Sequence, residues 1–574
     1  MNDVIKKDLP RPAGSGDAGS GRFSLPPHLR CVRLANEPAN YETNGHRYSG
    51  GSDITYYHQS FLMADGRILM SGTHNNNTLA QAGANGNVDN LKEMHIRCSG
   101  GDASSLMGKP VALWQAYDNT VVLTDKGDVA VWGYNGHGQH ARNNTSGQST
   151  IVPIDGSDIG PRSGVANREV VKIEITKGYP TASNTIFALC KDGTVWGWGY
   201  NGYGQLCQGN TTSYSRPVQL KLSTSGNPAV TDAVDVFAGH GSYQGVFVLR
   251  SNGELWSAGQ NSWGKLGNGS TSNRNRLYKC TNLPTGLAPS DYVSVMLCGS
   301  QRGAGTAVLL KDGRCYTAGY GGHYFHGNTN SNQSNFRQLN YPSGVTGYKK
   351  IWTGGEYSQL WLWGDDDRLW ATGYNGTGQL GVGNTSSTSG PRECNAGGWT
   401  NYGASDGGSS VGTNYTNGYV EYGKWEPYQI STGGAYDGST HRHTSIMWGS
   451  DNFTYGAGTY GGYGGQSTSS QSSWRRHVLP FGFTNLTKFY DEDGTGTSPD
   501  RPEPGDIQFP REPGFGKNWE IAGIVAHGYT SQFGAFIRLK NGMVYAVGRN
   551  TSNKLGIENN DLNAVAGPQK VRFF

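Results

Sequence analysis

The sequence predicts an all-β protein folded as a single β-propeller of four-stranded blades. Three observations carry this. Glycine supplies 89 of the 574 residues, more than twice ordinary usage, while charged residues make up only 16%. A hairpin signature recurs eight times along the chain. A further strand-like run precedes most copies, so each unit holds about four strands.

The sharpest copy is IFALCKDGTVWGWGYNGYGQL, starting at Ile186, and the second half of LWLWGDDDRLWATGYNGTGQL, from Leu360, nearly repeats it. VVLTDKGDVAVWGYNGHGQ from Val121 is a third, weaker copies start at Val246, Ala307, Ser445 and Ala535, and the most degenerate starts at Phe61. In each, an apolar run, a turn of the Lys-Asp-Gly kind and an aromatic or β-branched alternation make an antiparallel hairpin. The glycines closing the second strand are Gly72, Gly133, Gly199, Gly259, Gly319, Gly373, Gly458 and Gly548, spaced by about 54 to 66 residues until two final intervals of about 85 and 90. Runs such as VVKIEIT from Val170 and YKKIWTGG from Tyr348 add the preceding strand. Closing such units into a ring protects edges that an open stack would expose.

Gly-Tyr-Asn-Gly-x-Gly-Gln-Leu after a Trp-containing strand, with a later proline (Pro217, Pro391), resembles the regulator of chromosome condensation repeat. That resemblance implies a propeller with seven blades slightly favoured over the eight glycine-marked copies. The expected organisation is an extended N-terminal arm at 1–29, rich in Gly, Ser and Pro, and a propeller at 30–574 with insertions at about 392–430 and 475–517.

No GxSxG elbow, phosphate-cradling loop, HExxH or paired-cysteine site occurs, so the expectation is a protein that is not an enzyme, with no cofactor and no metal. The eight cysteines are spread singly and read as reduced. His441 with His443, His323 with His326, and the Asp491-Glu492-Asp493-Gly494 turn were the metal-ligand patterns to weigh. Hydrogen-bonded histidines and a solvated turn explain them better, since the calcium-loop pattern is incomplete. GYGG and GNGS strings read as blade turns. Asp365, Asp366 and Asp367 fill a hairpin turn, and Trp196 and Trp370 are expected in the blade core.

An aromatic insertion gives the candidate recognition surface: Trp399, Tyr402, Tyr415, Tyr419, Trp425 and Tyr428, interleaved with Gly, Ser, Thr and Asn. Net charge of +4 and few basic residues in the arm (Lys6, Lys7, Arg11, Arg22) disfavour nucleic acid. No run of about 18 apolar residues predicts a membrane span. Low charge, abundant Gly, Asn, Ser, Thr and Tyr, and an N-terminus without an export signal lead to the expectation of a bacteriophage virion protein. It would be a tail fiber or head-attached fiber, assembled in host cytoplasm. Its arm would bind other virion proteins, its surface would bind a host glycan, and it could form a homo-oligomer. The alternative is a cellular, cytoplasmic protein-interaction propeller, such as a chromatin-linked guanine nucleotide exchange regulator, or a bacterial surface adhesin.

Overall fold

The computed structural model describes residues 27–37, 58–74, 86–94, 108–116, 119–176, 183–239, 245–300, 303–327, 329–354, 358–394, 426–436, 441–449, 454–459, 471–476, 521–529, 532–549, 564–571 and 573. Among them are eight antiparallel sheets, each of four strands consecutive in the chain. They are numbered here as sheets 1 to 8 and span 31–94, 110–153, 170–219, 233–279, 292–338, 348–393, 427–476 and 521–570. This differs from the seven that the resemblance slightly favoured: the degenerate copy at Phe61 still makes a full sheet, with Phe61, Leu62, Ile68, Leu69 and Met70 buried. Residues 1–26 of the expected arm at 1–29, most of the insertion at 392–430, the second insertion after Arg476 and the Asp491–Gly494 turn lie outside the described residues, while Pro27–Leu29 form a short 3-10 turn. No described helix is long and apolar enough to cross a membrane.

Sheet 3 shows why the sequence folds this way. Its strands are Val170–Ile175, Thr185–Cys190, Val195–Gly199 and Tyr214–Gln219. At the tip of the central hairpin, Asp192 Oδ1 accepts from the Thr194 backbone N–H at 3.0 Å and Gly193 turns at φ +81°. The same side-chain clasp recurs at Asp65, Asn252, Asp312, Asp366 and Asn541. Every pairing of third and fourth strands slips register just before the marked glycine. All eight of those glycines have φ between +94° and +115°. At Gly199 a Cβ would also sit 2.6 Å from the Asn184 carbonyl oxygen, so both conformation and space demand glycine.

The core is divided among seams. Eight apolar clusters each straddle two neighbouring sheets, including one between sheet 8 and sheet 1 that holds Phe61, Phe536 and Cys31. The sheets therefore close into a ring, with the first strands of neighbouring sheets side by side around the axis. The seven described cysteines are free and buried in these seams. Burial pushes the Cys31, Cys190, Cys280 and Cys298 thiols up to about 12, which makes them inert packing groups.

The tryptophan expectation holds at Trp370, which is buried in the seam of sheets 5 and 6, and needs correction at Trp196. Trp198 is fully buried with its Nε1–H donating to the Gln139 carbonyl at 2.8 Å, whereas Trp196 is only half-buried. Residues i and i+2 share a strand face, but Trp196 lies one step from the hairpin tip, where the seam opens to solvent. There the Arg168 guanidinium lies over its ring at 5.2 Å.

Candidate recognition face

The strands of a sheet run antiparallel, so the loops joining third to fourth strands share one face of the ring and the central hairpin tips share the other. The two faces differ in chemistry. Hairpin tips are ionic: Asp65 pairs with Arg67 at 2.7 Å, Asp192 with Arg168 at 2.7 Å, and Arg250 with Asp232 at 3.0 Å and with Glu254 at 3.4 Å. Arg250 and Arg314 lie over Trp256 and Tyr316 there, as Arg168 lies over Trp196.

The opposite loops, 134–147, 200–213, 260–273, 320–332 and 374–387 in sheets 2 to 6, contain only two charged side chains, Arg142 and Lys265. Arg142 donates to the Pro153 carbonyl at 3.0 Å. Lys265 is fully buried with Nζ 2.7 Å from Gln260 Oε1, and burial holds its pKa well below the ordinary lysine value.

A buried asparagine organises each of four loops. Asn201 donates Nδ2–H to the carbonyls of Asn210 at 3.2 Å and Thr212 at 2.9 Å, while its Oδ1 accepts from the Leu206 backbone at 2.7 Å. Asn135, Asn261 and Asn375 repeat this. In sheet 5 the place is taken by Gly321, whose backbone N–H donates to Asn332 Oδ1 at 3.0 Å. The glutamine of the motif fixes the variable position: Gln139, Gln205 and Gln379 accept from the backbone N–H groups of His137, Tyr203 and Thr377 at 3.0 to 3.1 Å.

Two side chains per loop are thereby presented. The leading tyrosine (Tyr134, Tyr200, Tyr320, Tyr374) folds back over the glycine two residues on, where any Cβ would strike its ring. The variable residue is His137, Tyr203, Trp263, His323 or Thr377. All of these are half-buried. Rings also meet across seams: His137 on Tyr200 at 4.9 Å, Trp263 on Tyr320 at 5.4 Å, His323 on Tyr374 at 4.8 Å and Tyr374 on His443 at 5.7 Å. Aromatic side chains thus run along the loop face from sheet 2 to sheet 7, with Gln260 in the tyrosine's place in sheet 4. Partial burial lowers the His137 pKa.

Of the six residues expected to form the recognition surface, Trp399, Tyr402, Tyr415, Tyr419 and Trp425 lie outside the described residues. Tyr428 is half-buried, stacks edge-on against Trp448 at 4.9 Å and lies under the Lys350 ammonium at 5.5 Å, so it packs sheet 7. The histidine pairs have separate duties. His323 joins the aromatic belt, while His326 is buried with Nδ1 2.9 Å from Thr317 Oγ1 and Nε2 3.0 Å from the Gly319 carbonyl. His443 is buried beside Tyr374. The belt was missed in the sequence because its residues sit in strings that turn geometry already explains. The available signal was that four of five variable positions carry an imidazole, phenol or indole.

Residues 192–242 match the family described as regulator of chromosome condensation (RCC1) repeat. Similar curated proteins include the E3 ubiquitin-protein ligase HERC2 of Homo sapiens, 30% identical over 203 residues that cover 35% of this chain and 4% of the ligase. The Regulator of chromosome condensation of Mus musculus is 26% identical over 278 residues that cover 46% of this chain and 58% of that protein. The match thus spans less than two thirds of either relative. Among solved structures, Prp20p of Saccharomyces cerevisiae aligns over 88% of this chain and 95% of its own, at 14% identity and a TM-score of 0.47. The chain is a β-propeller, one segment of which matches the regulator of chromosome condensation repeat.

Proposed function

We propose that this protein is a non-catalytic recognition propeller that holds a partner on the face formed by the loops between third and fourth strands. The observation carrying this is the belt of half-buried rings on that face, which meet across the seams of sheets 2 and 3, 4 and 5, and 5 and 6, on loops braced in most sheets by a buried asparagine or glutamine. Rigid aromatic area is what recognition surfaces use, because little side-chain entropy is lost on contact. The similar proteins are cellular propellers, which supports a cellular interaction role over the virion-fiber expectation, for which composition alone speaks. The test is a photo-cross-linking benzoylphenylalanine placed at position 203 on the loop face or at position 191 on the hairpin face. Adducts from the source cell that form at 203 and not at 191 support the reading; adducts confined to 191 reject it.

A further inference from the structure

The two faces of the ring offer aromatic side chains in opposite settings. On the hairpin face, arginines lie over Trp196, Trp256 and Tyr316, and carboxylates surround them. On the loop face the belt positions carry no formal charge in five successive sheets: Lys265 is buried against Gln260, and the one exposed loop charge, Arg142, stands outside the belt with its guanidinium donating to the Pro153 carbonyl. A partner for that face must match its charge. Nucleic acid requires cations to replace released counterions, and an acidic or basic peptide would lose hydration without gaining an ion pair. An uncharged polyhydroxylated chain fits: its C–H faces can lie on rings, and its hydroxyls can exchange water for the Tyr, His and Gln polar groups between them.

We infer that the loop face binds a neutral glycan, with subsites at the ring pairs His137–Tyr200, Trp263–Tyr320 and His323–Tyr374. This rests on the recognition reading above and names its ligand class. The subsites are repeated because the sheets are repeated, so an extended oligosaccharide engages two or more at once, each raising the effective concentration at the next. Tyr folded over Gly gives each subsite a fixed floor. The variable residue gives each a different wall.

Binding of the full chain to an array of uncharged hexose and N-acetylhexosamine oligosaccharides, with sialylated and sulfated ones alongside, tests this, followed by titration of each retained neutral oligosaccharide. The informative variants are Tyr203→Thr, Trp263→Asn and His323→Thr: Thr377 already occupies the equivalent place in sheet 6 with its backbone N–H on Gln379, and asparagine tolerates the φ of +64° that the backbone takes at Trp263. Combined, they are expected to weaken retention of a neutral oligosaccharide at least tenfold while the melting temperature holds within a degree or two; Lys191→Ala on the hairpin face should change it less than twofold. Retention of charged glycans alone, or neutral binding indifferent to the three substitutions, overturns the inference. If cross-links at position 203 go to a protein and no glycan is retained, the glycan assignment falls while the recognition face stands. If neither a cross-link nor a glycan is found, both fall.

Discussion

His140 and His326 stand where Leu206, Leu266 and Leu380 stand in the other loops. Each is buried and places Nε2 within 3.1 Å of the carbonyl of the marked glycine before it. Burial lowers both pKa values from 6.5 to about 4, since a charged imidazole would lose its water there. The unfolded chain takes up these protons near pH 6.5 and the folded one only near 4, so folding is favoured by the neutral form. Stability is therefore expected to be level above about pH 6.5 and to fall as pH drops from 6.5 towards 4, by up to about 3 kcal/mol per histidine. Urea midpoints at pH 7, 5.5 and 4.5 measure this, and His140→Leu, which restores the residue of the other loops, should flatten the slope. A slope unchanged by that substitution would assign the acid sensitivity elsewhere. At the same scale, Trp198→Ala should cost about 3 to 5 kcal/mol in denaturant unfolding, through a cavity and a lost indole hydrogen bond. Trp196→Ala should cost well under half as much, because its ring is already wet on one side.

Within one sheet, the glycine after the variable position is where loop and neighbour meet. Gly204 has φ +80°, and a Cβ there would fall 2.5 Å from Asn275 Cβ and 2.6 Å from its Cα in sheet 4. Gly226 has nearly the same φ, +79°, but nothing within 4 Å. Gly226→Ala should thus show only the conformational cost of about 1 kcal/mol, whereas Gly204→Ala should cost at least about 2 kcal/mol more, since backbone must move. Equal losses in thermal or urea unfolding would mean that the seam yields freely. The hairpins and their marked glycines were legible in the sequence because turn chemistry and strand alternation are local. The fourth strand of sheet 1, GNVDNLKEM at Gly86–Met94, was not, because it has no alternation to read. Nor was the order of Trp196 and Trp198, which depends on where a seam opens, or the belt, which needs knowledge of which loops become neighbours. Most of the aromatic insertion chosen from composition lies outside the described residues, and its one described member, Tyr428, serves packing.

Four of the ring's seams share one backbone hydrogen bond, and the join of the chain's two ends is built differently. Between sheets 2 and 3, 3 and 4, 4 and 5, and 6 and 7, the same backbone hydrogen bond recurs at 2.8 Å: Asn143 to Ser215, Gly209 to Asn275, Gly269 to Ser334 and Gly383 to Ser472. Each sheet is made of consecutive strands, so among the described residues no exchanged strand locks the last sheet to the first. The join of sheets 8 and 1 instead carries the Cys31 N–H to Gly542 carbonyl bond at 3.0 Å, the packing of Phe61 between Phe536 and Phe573, and an ion pair in which Arg538 grips Glu37 through both Nε and Nη2. Glu37 is buried, and its Oε2 also accepts from the Leu34 backbone at 2.8 Å. Removing one partner strands the other's charge in a nearly dry seam, so Glu37→Gln should cost about 3 kcal/mol, and adding Arg538→Met should recover much of that. Hydrogen exchange decides whether this join is the ring's weak point. If it is, Glu37→Gln should speed exchange at the amides of Cys31 and Ala35 far more than at Val246 to Leu249 across the ring, because the join opens before the other seams let go. Uniform acceleration at both places would show that the ring unfolds as one unit and that its closure is as strong as any other seam.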